Sequence, residues 1–204
     1  IASKKLFEQA LHELFRASNK EKFANYKELR KKYETSERKV NIGIINTSFQ
    51  ELNYNNENES KGALTLKNKK FEKLNNKPAF KDNHTLIIAP LKEYLVGKTV
   101  SFIFDKNFMF EETSNKKIAS IVADFGNNKE HIIYKNSLFI NKKIDITYNE
   151  SGYKTIAFTA FFEDGSSQTT KGKLHIKVRS ANMSRIINPL VEDFTITSTI
   201  PFQG

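Results

Sequence analysis

The longest clean alternation of apolar and polar positions runs from Thr155 to Phe162, with Ile156, Phe158, Ala160 and Phe162 on one side of an extended chain and Thr155, Ala157, Thr159 and Phe161 on the other. Glu163-Asp164-Gly165-Ser166 supplies turn chemistry, and Leu174, Ile176 and Val178 resume the period of two. The pattern predicts a β-hairpin. Val100, Phe102 and Phe104 alternate in the same way, and Phe108 and Phe110 follow after Asp105-Lys106-Asn107. Val40 to Asn46 is a β-branched run broken only by Gly43, which predicts a buried strand that Phe49, Leu52 and Tyr54 prolong. Ala63 to Leu66 is a short strand, and His84 to Ala89 a stronger one closed by Pro90. Between them, Asn53 to Gly62 is polar and turn-prone.

The front of the chain has a different period. Leu6, Phe7, Ala10, Leu11, Leu14 and Phe15 recur at helical spacing, predicting a helix from Ser3 to Ala17. Ser18-Asn19-Lys20-Glu21 is a capping box that opens a second helix carrying Phe23, Tyr26, Leu29 and Tyr33 on one stripe. This pair reads as a cap on the following β-region; the alternatives are an interaction hairpin and a pro-like segment that threads onto a neighbour. At the other end, Arg179 to Arg185 reads as a linker, and Phe194 to Ile200 as one more alternating strand. A terminal strand with nothing after it to pair is expected to join a sheet completed elsewhere, either in a longer polypeptide or in a partner. The expected organisation is α+β: a helix pair at 1–37, a small β-region at 38–96, an antiparallel β-sandwich at 97–179, and a linker and strand at 180–204.

Composition narrows the function classes. With no cysteine in 204 residues there are no disulfides, thiolate metal sites or cysteine nucleophiles. No apolar run approaches the roughly 20 residues that span a bilayer. The formal charge of +10, from 33 Lys and Arg against 23 Asp and Glu, raises the question of a polyanion partner. The cations, however, are scattered in pairs and triplets such as Arg30-Lys31-Lys32 and Lys142-Lys143, and lysine dominates over the arginine forks that read phosphates and bases. Nucleic acid is therefore not the expected partner, and most of the charge reads as a solvated, lysine- and asparagine-rich surface.

Ala123-Asp124-Phe125-Gly126-Asn127-Asn128, then Ile146-Thr147-Tyr148-Asn149-Glu150-Ser151-Gly152-Tyr153-Lys154-Thr155-Ile156, then Asp164-Gly165 follow in the order and spacing of a known family. The stretch resembles the polycystic-kidney-disease (PKD) type of immunoglobulin-like domain found in secreted bacterial enzymes and adhesins. Ala123 stands where that family usually has a core tryptophan, Asn127-Asn128 replace Asp-Gly, and Ile146 replaces His. The resemblance implies an Ig-like sandwich that acts as a spacer or a protein or glycan contact, without catalysis of its own, in a secreted or cell-surface bacterial protein. The strand at Val40, Ile88-Ala89-Pro90-Leu91 and Ile200 to Gly204 are further similar to front ends of large secreted proteins of Bacteroidota that precede an α/β-hydrolase-like module. No G-x-S-x-G elbow occurs in these residues, so that resemblance carries no activity onto them.

The remaining chemistry is sparse. His12, His84, His131 and His175 lie far apart without zinc spacing, and Asp124-Phe125-Gly126 lacks the glycine-rich and H-R-D loops of a kinase. Glu111-Glu112, Glu163-Asp164 and Glu192-Asp193 are sequence neighbours, which in extended chain point to opposite faces rather than converge as a glycosidase pair must. Asp124, Asn127, Asn128 and Glu130 offer the oxygen ligands of a loop calcium site, or else an Asx turn. Tyr134, Tyr148 and Tyr153 are candidates for a carbohydrate-stacking surface, or else for core packing. The expected function is a non-catalytic binding or spacer module with no obligatory cofactor, whose partner is a downstream domain of the same polypeptide or a protein or glycan. The rival readings are the accessory front of a hydrolase whose active site lies beyond Gly204, a polyanion-binding protein, and an appendage or virion subunit.

Overall fold

The alternation at 155–162 folds as the first strand of a hairpin: Gly152–Phe162 and Ser167–Lys177 pair antiparallel from Gly152 opposite Ile176 to Phe161 opposite Ser167. The computed structural model describes residues 1–17, 31, 38–54, 62–111 and 114–178. In chain order the described elements are helix α1 (Lys4–Ala17) and strands β1 (Lys39–Leu52), β2 (Leu64–Lys67), β3 (Lys70–Lys73), β4 (Phe80–Pro90), β5 (Tyr94–Val96) and β6 (Thr99–Ile103). A 3-10 turn at Lys106–Phe108 leads to β7 (Met109–Phe110), β8 (Ile118–Asp124), β9 (Glu130–Lys135), β10 (Leu138–Phe139), β11 (Lys143–Thr147), β12 (Gly152–Phe162) and β13 (Ser167–Lys177).

These strands make two main sheets. One runs β11-β6-β1-β4, with β7 also on β1; the other runs β10-β9-β8-β12-β13-β5. Ile42, Ile44, Val100 and Phe102 from the first face Ile121, Ile156, Phe158 and Leu174 from the second in one buried cluster, which makes the architecture a two-layer β-sandwich. The α+β expectation is thus corrected to a mostly β fold with one described helix. The second predicted helix lies, apart from Lys31, outside the described residues, as do the linker and the strand expected at 180–204.

The expected division near residue 97 does not divide the core. Lys39, Val40 and Asn41 of β1 pair parallel with Ser101, Phe102 and Ile103 of β6, and β5 pairs parallel with the end of β13. Strands from both sides of 97 therefore share both sheets, and Val40, Ile42, Leu86 and Ile88 bury beside Phe102 and Phe158. The reason is visible in β1 and β4, which are covered on both faces and so carry apolar runs in place of strict alternation. Ile44 and Ile88 face the sandwich core, whereas Ile45, Ile87 and Ala89 face α1 with Phe7 and Leu11. Ser3 caps that helix, its hydroxyl accepting from the Leu6 amide at 3.1 Å, while Leu6 itself, expected on the apolar stripe, is exposed.

Gly43 is the point where the helix comes closest. A Cβ built there would stand 2.4 Å from the Phe7 ring, so β1 accepts the ring only because no side chain intervenes. Gly43→Ala is expected to cost about 1–3 kcal/mol by overpacking, measured as a lower urea midpoint with an unchanged slope. An unchanged midpoint would mean that α1 does not hold this position in solution.

Past Asn46 and Leu86 the β1–β4 ladder leaves the sandwich as a two-stranded arm that ends at Leu52 opposite Phe80. At its tip β2 and β3 form a hairpin whose turn residues, Asn68 and Lys69, both have positive φ, as a two-residue turn of matching twist requires. Phe71 packs edge-on against Tyr54 at 5.6 Å there.

Candidate functional site

Polar side chains gather where the arm meets the sandwich. Asn46 is fully buried on β1, next to the last apolar residues that face the core. Its Nδ2 donates to Glu111 Oε1 at 3.0 Å and to the Lys116 carbonyl at 2.7 Å. With both amide protons given away, its Oδ1 can only accept, so His84 Nε2, 2.7 Å distant on β4, carries the proton. The same Glu111 oxygen accepts from the Ile118 amide at 3.1 Å. Lys116 Nζ reaches Asp164 Oδ2 and Ser166 Oγ, each at 3.1 Å, in the β12–β13 turn, and lies 5.5 Å from the Phe162 ring centroid. His84 meets that ring edge-on at 5.2 Å. Ser48 Oγ hydrogen-bonds Asn115.

The network ties β1, β4, the segment before β8 and the β12–β13 turn together. His84 Nε2 is taken up by the Asn46 amide oxygen, so this nitrogen serves the network. Desolvation, followed by the charge on Lys116, lowers the His84 pKa below its ordinary 6.5, with Asp164 opposing. The Asp164 carboxyl is brought down to about 2, first by the Ser166 hydroxyl, then by the Ser166 amide and Lys116.

For His84 the unfolded chain binds the proton more readily than the folded one, so stability is complete above pH 6.5 and declines as pH falls towards the lowered folded value. The urea midpoint at pH 5 is expected below that at pH 7.5, and His84→Gln should flatten the difference. A pH profile unaltered by that substitution would assign the dependence to other groups.

Beside the network, between the β6–β7 side and the β9–β10 side, is a cleft of about 990 Å³ lined by Phe104, Met109, Tyr134, Phe139, Glu111 and Lys142 among others. Tyr134 packs edge-on to Phe139 at 5.3 Å, and burial, then Glu111, raises its hydroxyl pKa, with a hydrogen bond to Ser137 acting the other way. Glu111 enters the cleft already committed to Asn46.

Of the residues singled out in the sequence, Asp124, Asn127, Asn128 and Glu130 stay together around the β8–β9 turn, and the three tyrosines are separated. Asp124 Oδ1 accepts from the Gly126 amide at 2.9 Å and Asn127 Oδ1 from the Lys129 amide at 3.3 Å. Asn128 has a φ of 57°, and Glu130 pairs across β8–β9 with Asp124. Both Asx side chains thus serve the turn backbone. Among the described residues no three His, Asp or Glu side chains are grouped to hold a metal.

The three tyrosines do not form one stacking surface. Tyr134 and Tyr148 are buried, the latter donating its hydroxyl to the Phe125 carbonyl at 2.8 Å, while burial pushes its pKa up. Tyr153, by contrast, is 74% exposed. Its neighbours are ones that sequence reasoning misses: His175 is directly opposite on β13, and Tyr94 of β5 opposite that. The Tyr94 and His175 rings stack at 5.3 Å and 11°, and Tyr153 meets His175 edge-on at 4.8 Å. Along β13 the outward positions are Lys171, Lys173, His175 and Lys177, while Gly172, Leu174 and Ile176 point inward and are buried. The signal that could have found this face is the period of two in Lys171 to Lys177, which places three lysines and a histidine on one side.

No family model matches the chain, and no curated protein matches it. Among solved structures, it is similar to the PKD1 domain of Vibrio anguillarum Epp at 20% identity, with 41% of this chain and 83% of that one covered and a TM-score of 0.28. It is similar also to the PKD1 domain of the Vibrio cholerae metalloprotease PrtV, at 11% identity over 66% of this chain and 98% of that one, TM-score 0.27. A third is a Photobacterium 2,6-sialyltransferase, at 9% identity over 43% of this chain and 17% of that one, TM-score 0.24. The sandwich follows from the strand pairing and from the core that the two sheets share. No helix among the described residues is long and apolar enough to cross a membrane.

Proposed function

We infer that this chain is a non-catalytic accessory module of an exported bacterial protein, which holds or presents a neighbouring domain and makes contact through its outer sheet surface. The observation that carries this reading is the disposition of its polar chemistry. His84, Asn46, Glu111, Lys116 and Asp164 are bonded to one another as a brace for the arm, whereas Tyr94, Tyr153 and the β13 lysines stand outward on the sheet. A braced sandwich with its free donors and rings on an open face suits contact with an extended surface, because chemistry needs groups that converge on one reacting atom. The motif at Asp124-Phe125-Gly126 and Tyr148 to Tyr153, which resembles the PKD type, supports the same role. The test is to incubate the purified chain with polysaccharide and protein substrates and follow product release. Turnover that survives repurification and is abolished by His84→Ala would replace this reading with an enzymatic one.

A further inference from the structure

We propose that the outer face of β13, with its flanking tyrosines, is a binding site for an acidic polysaccharide, a chain of pyranose rings bearing carboxylates. The inference rests on the non-catalytic reading above and names the partner class and the surface. Lys171, Lys173 and Lys177 project from one strand on the same side as His175, and Tyr153 and Tyr94 flank His175 on the adjoining strands.

Charge complementarity decides the sign of the occupant. The residues opposite these lysines are Ala157 for Lys171, Thr155 for Lys173 and Val96 for Lys177, so the register sets no carboxylate against any of the three. Asp124 stands opposite Ala157, on the far side of β12 from Lys171, and its Oδ1 accepts from the Gly126 amide. Lys171 and Lys173 stand about 7 Å apart along the extended strand and Lys177 about 13 Å beyond Lys173, and like charges in such a row lower the cost of gathering an anionic chain whose charges are also spaced along its length.

Ring chemistry decides the class. Tyr153 is 74% and Tyr94 46% exposed, and each is pinned by contact with His175, so their apolar surfaces are offered to a ligand at little cost in side-chain freedom. Sugar rings present C–H faces to such surfaces while their carboxylates reach the lysines. Single-stranded nucleic acid shares part of this logic. Its binders, however, use a groove that tracks the phosphates. On β13 the cations stand in a row on an exposed strand face, not along a groove, which favours a polysaccharide chain over a nucleic-acid backbone.

The experiment measures binding of the full chain to polygalacturonate, neutral dextran and oligo(dT) by affinity electrophoresis and calorimetry. Polygalacturonate is expected to bind, more weakly as salt rises from about 50 to 200 mM, and dextran is expected not to bind. Lys171→Glu with Lys173→Glu should weaken binding by about tenfold or more through charge reversal, and Tyr153→Ala by about tenfold through loss of a ring contact. Lys142→Glu with Lys143→Glu, outside this face, should leave binding unaltered. All these positions are exposed, and circular dichroism verifies that each variant folds.

Equal binding by the β13 variants and the parent would overturn the proposal, as would preference for oligo(dT) over polygalacturonate. Absence of binding to every probe would overturn it too, yet leave a spacer module standing. Release of oligosaccharides from polygalacturonate would count against the non-catalytic reading instead.

Discussion

Phe125→Ala should lower the free energy of unfolding by about 3–5 kcal/mol, a large fraction of the whole for a domain of ordinary stability. The residue is fully buried and joins the two layers: its ring stacks on Phe102 of β6 at 4.3 Å, meets Phe158 of β12 edge-on at 6.3 Å and lies 6.4 Å from Phe104. Removing it leaves a void bounded by rings that belong to opposite sheets and are held by their own ladders, so the walls cannot easily collapse. The backbone carbonyl that receives the Tyr148 hydroxyl is retained in the variant, so the loss reports packing rather than that hydrogen bond. The reading is a fall in the urea midpoint at constant slope. Phe161→Ala, on the exposed side of β12, is the control and should change stability by about 0.5 kcal/mol or less. Similar effects at the two positions would mean that the sheets do not close over Phe125.

Local patterning revealed the hairpin and not the layout of the sheets. β12 and β13 adjoin in sequence, and the period of two plus Gly165, with its φ of 80°, fixes turn and faces together. Gly126 and Tyr148 were legible as a motif, and their physical roles are plain in the fold: Gly126 takes a φ of 77° with Thr155 O only 2.9 Å from where a Cβ would be, and Tyr148 closes on Phe125. The parallel pairings of β1 with β6 and of β5 with β13 leave no such trace. Parallel partners are joined by long connections, and nothing local records which strand a distant one will lie beside. That is why residues 38–96 look separable in the sequence, and why nothing in it sets Tyr94 beside His175.

The polar brace was illegible for the same reason and carries the second large effect. Its members come from β1, β4, the stretch before β8 and the β12–β13 turn, and Asn46 reads in the sequence simply as the polar end of an apolar run. Asn46→Ala removes the donor to Glu111 and to the Lys116 carbonyl and the acceptor from His84 while all three stay in place, which should cost about 3 kcal/mol. Asn46→Leu restores volume without restoring any hydrogen bond and should be no more stable than the alanine variant. The loss should be shared with the histidine: in a double-mutant cycle, Asn46→Ala made in the background of His84→Ala ought to cost visibly less than in the parent, because one of its orphaned groups is already gone. Hydrogen exchange gives the local counterpart, with amides of β4 from Asp82 to Leu86 opening sooner in the variant and those of β12 keeping their protection. Strict additivity in the cycle, or faster exchange spread evenly over both sheets, would show that the arm is held by its β1–β4 ladder and that the brace adds nothing to it.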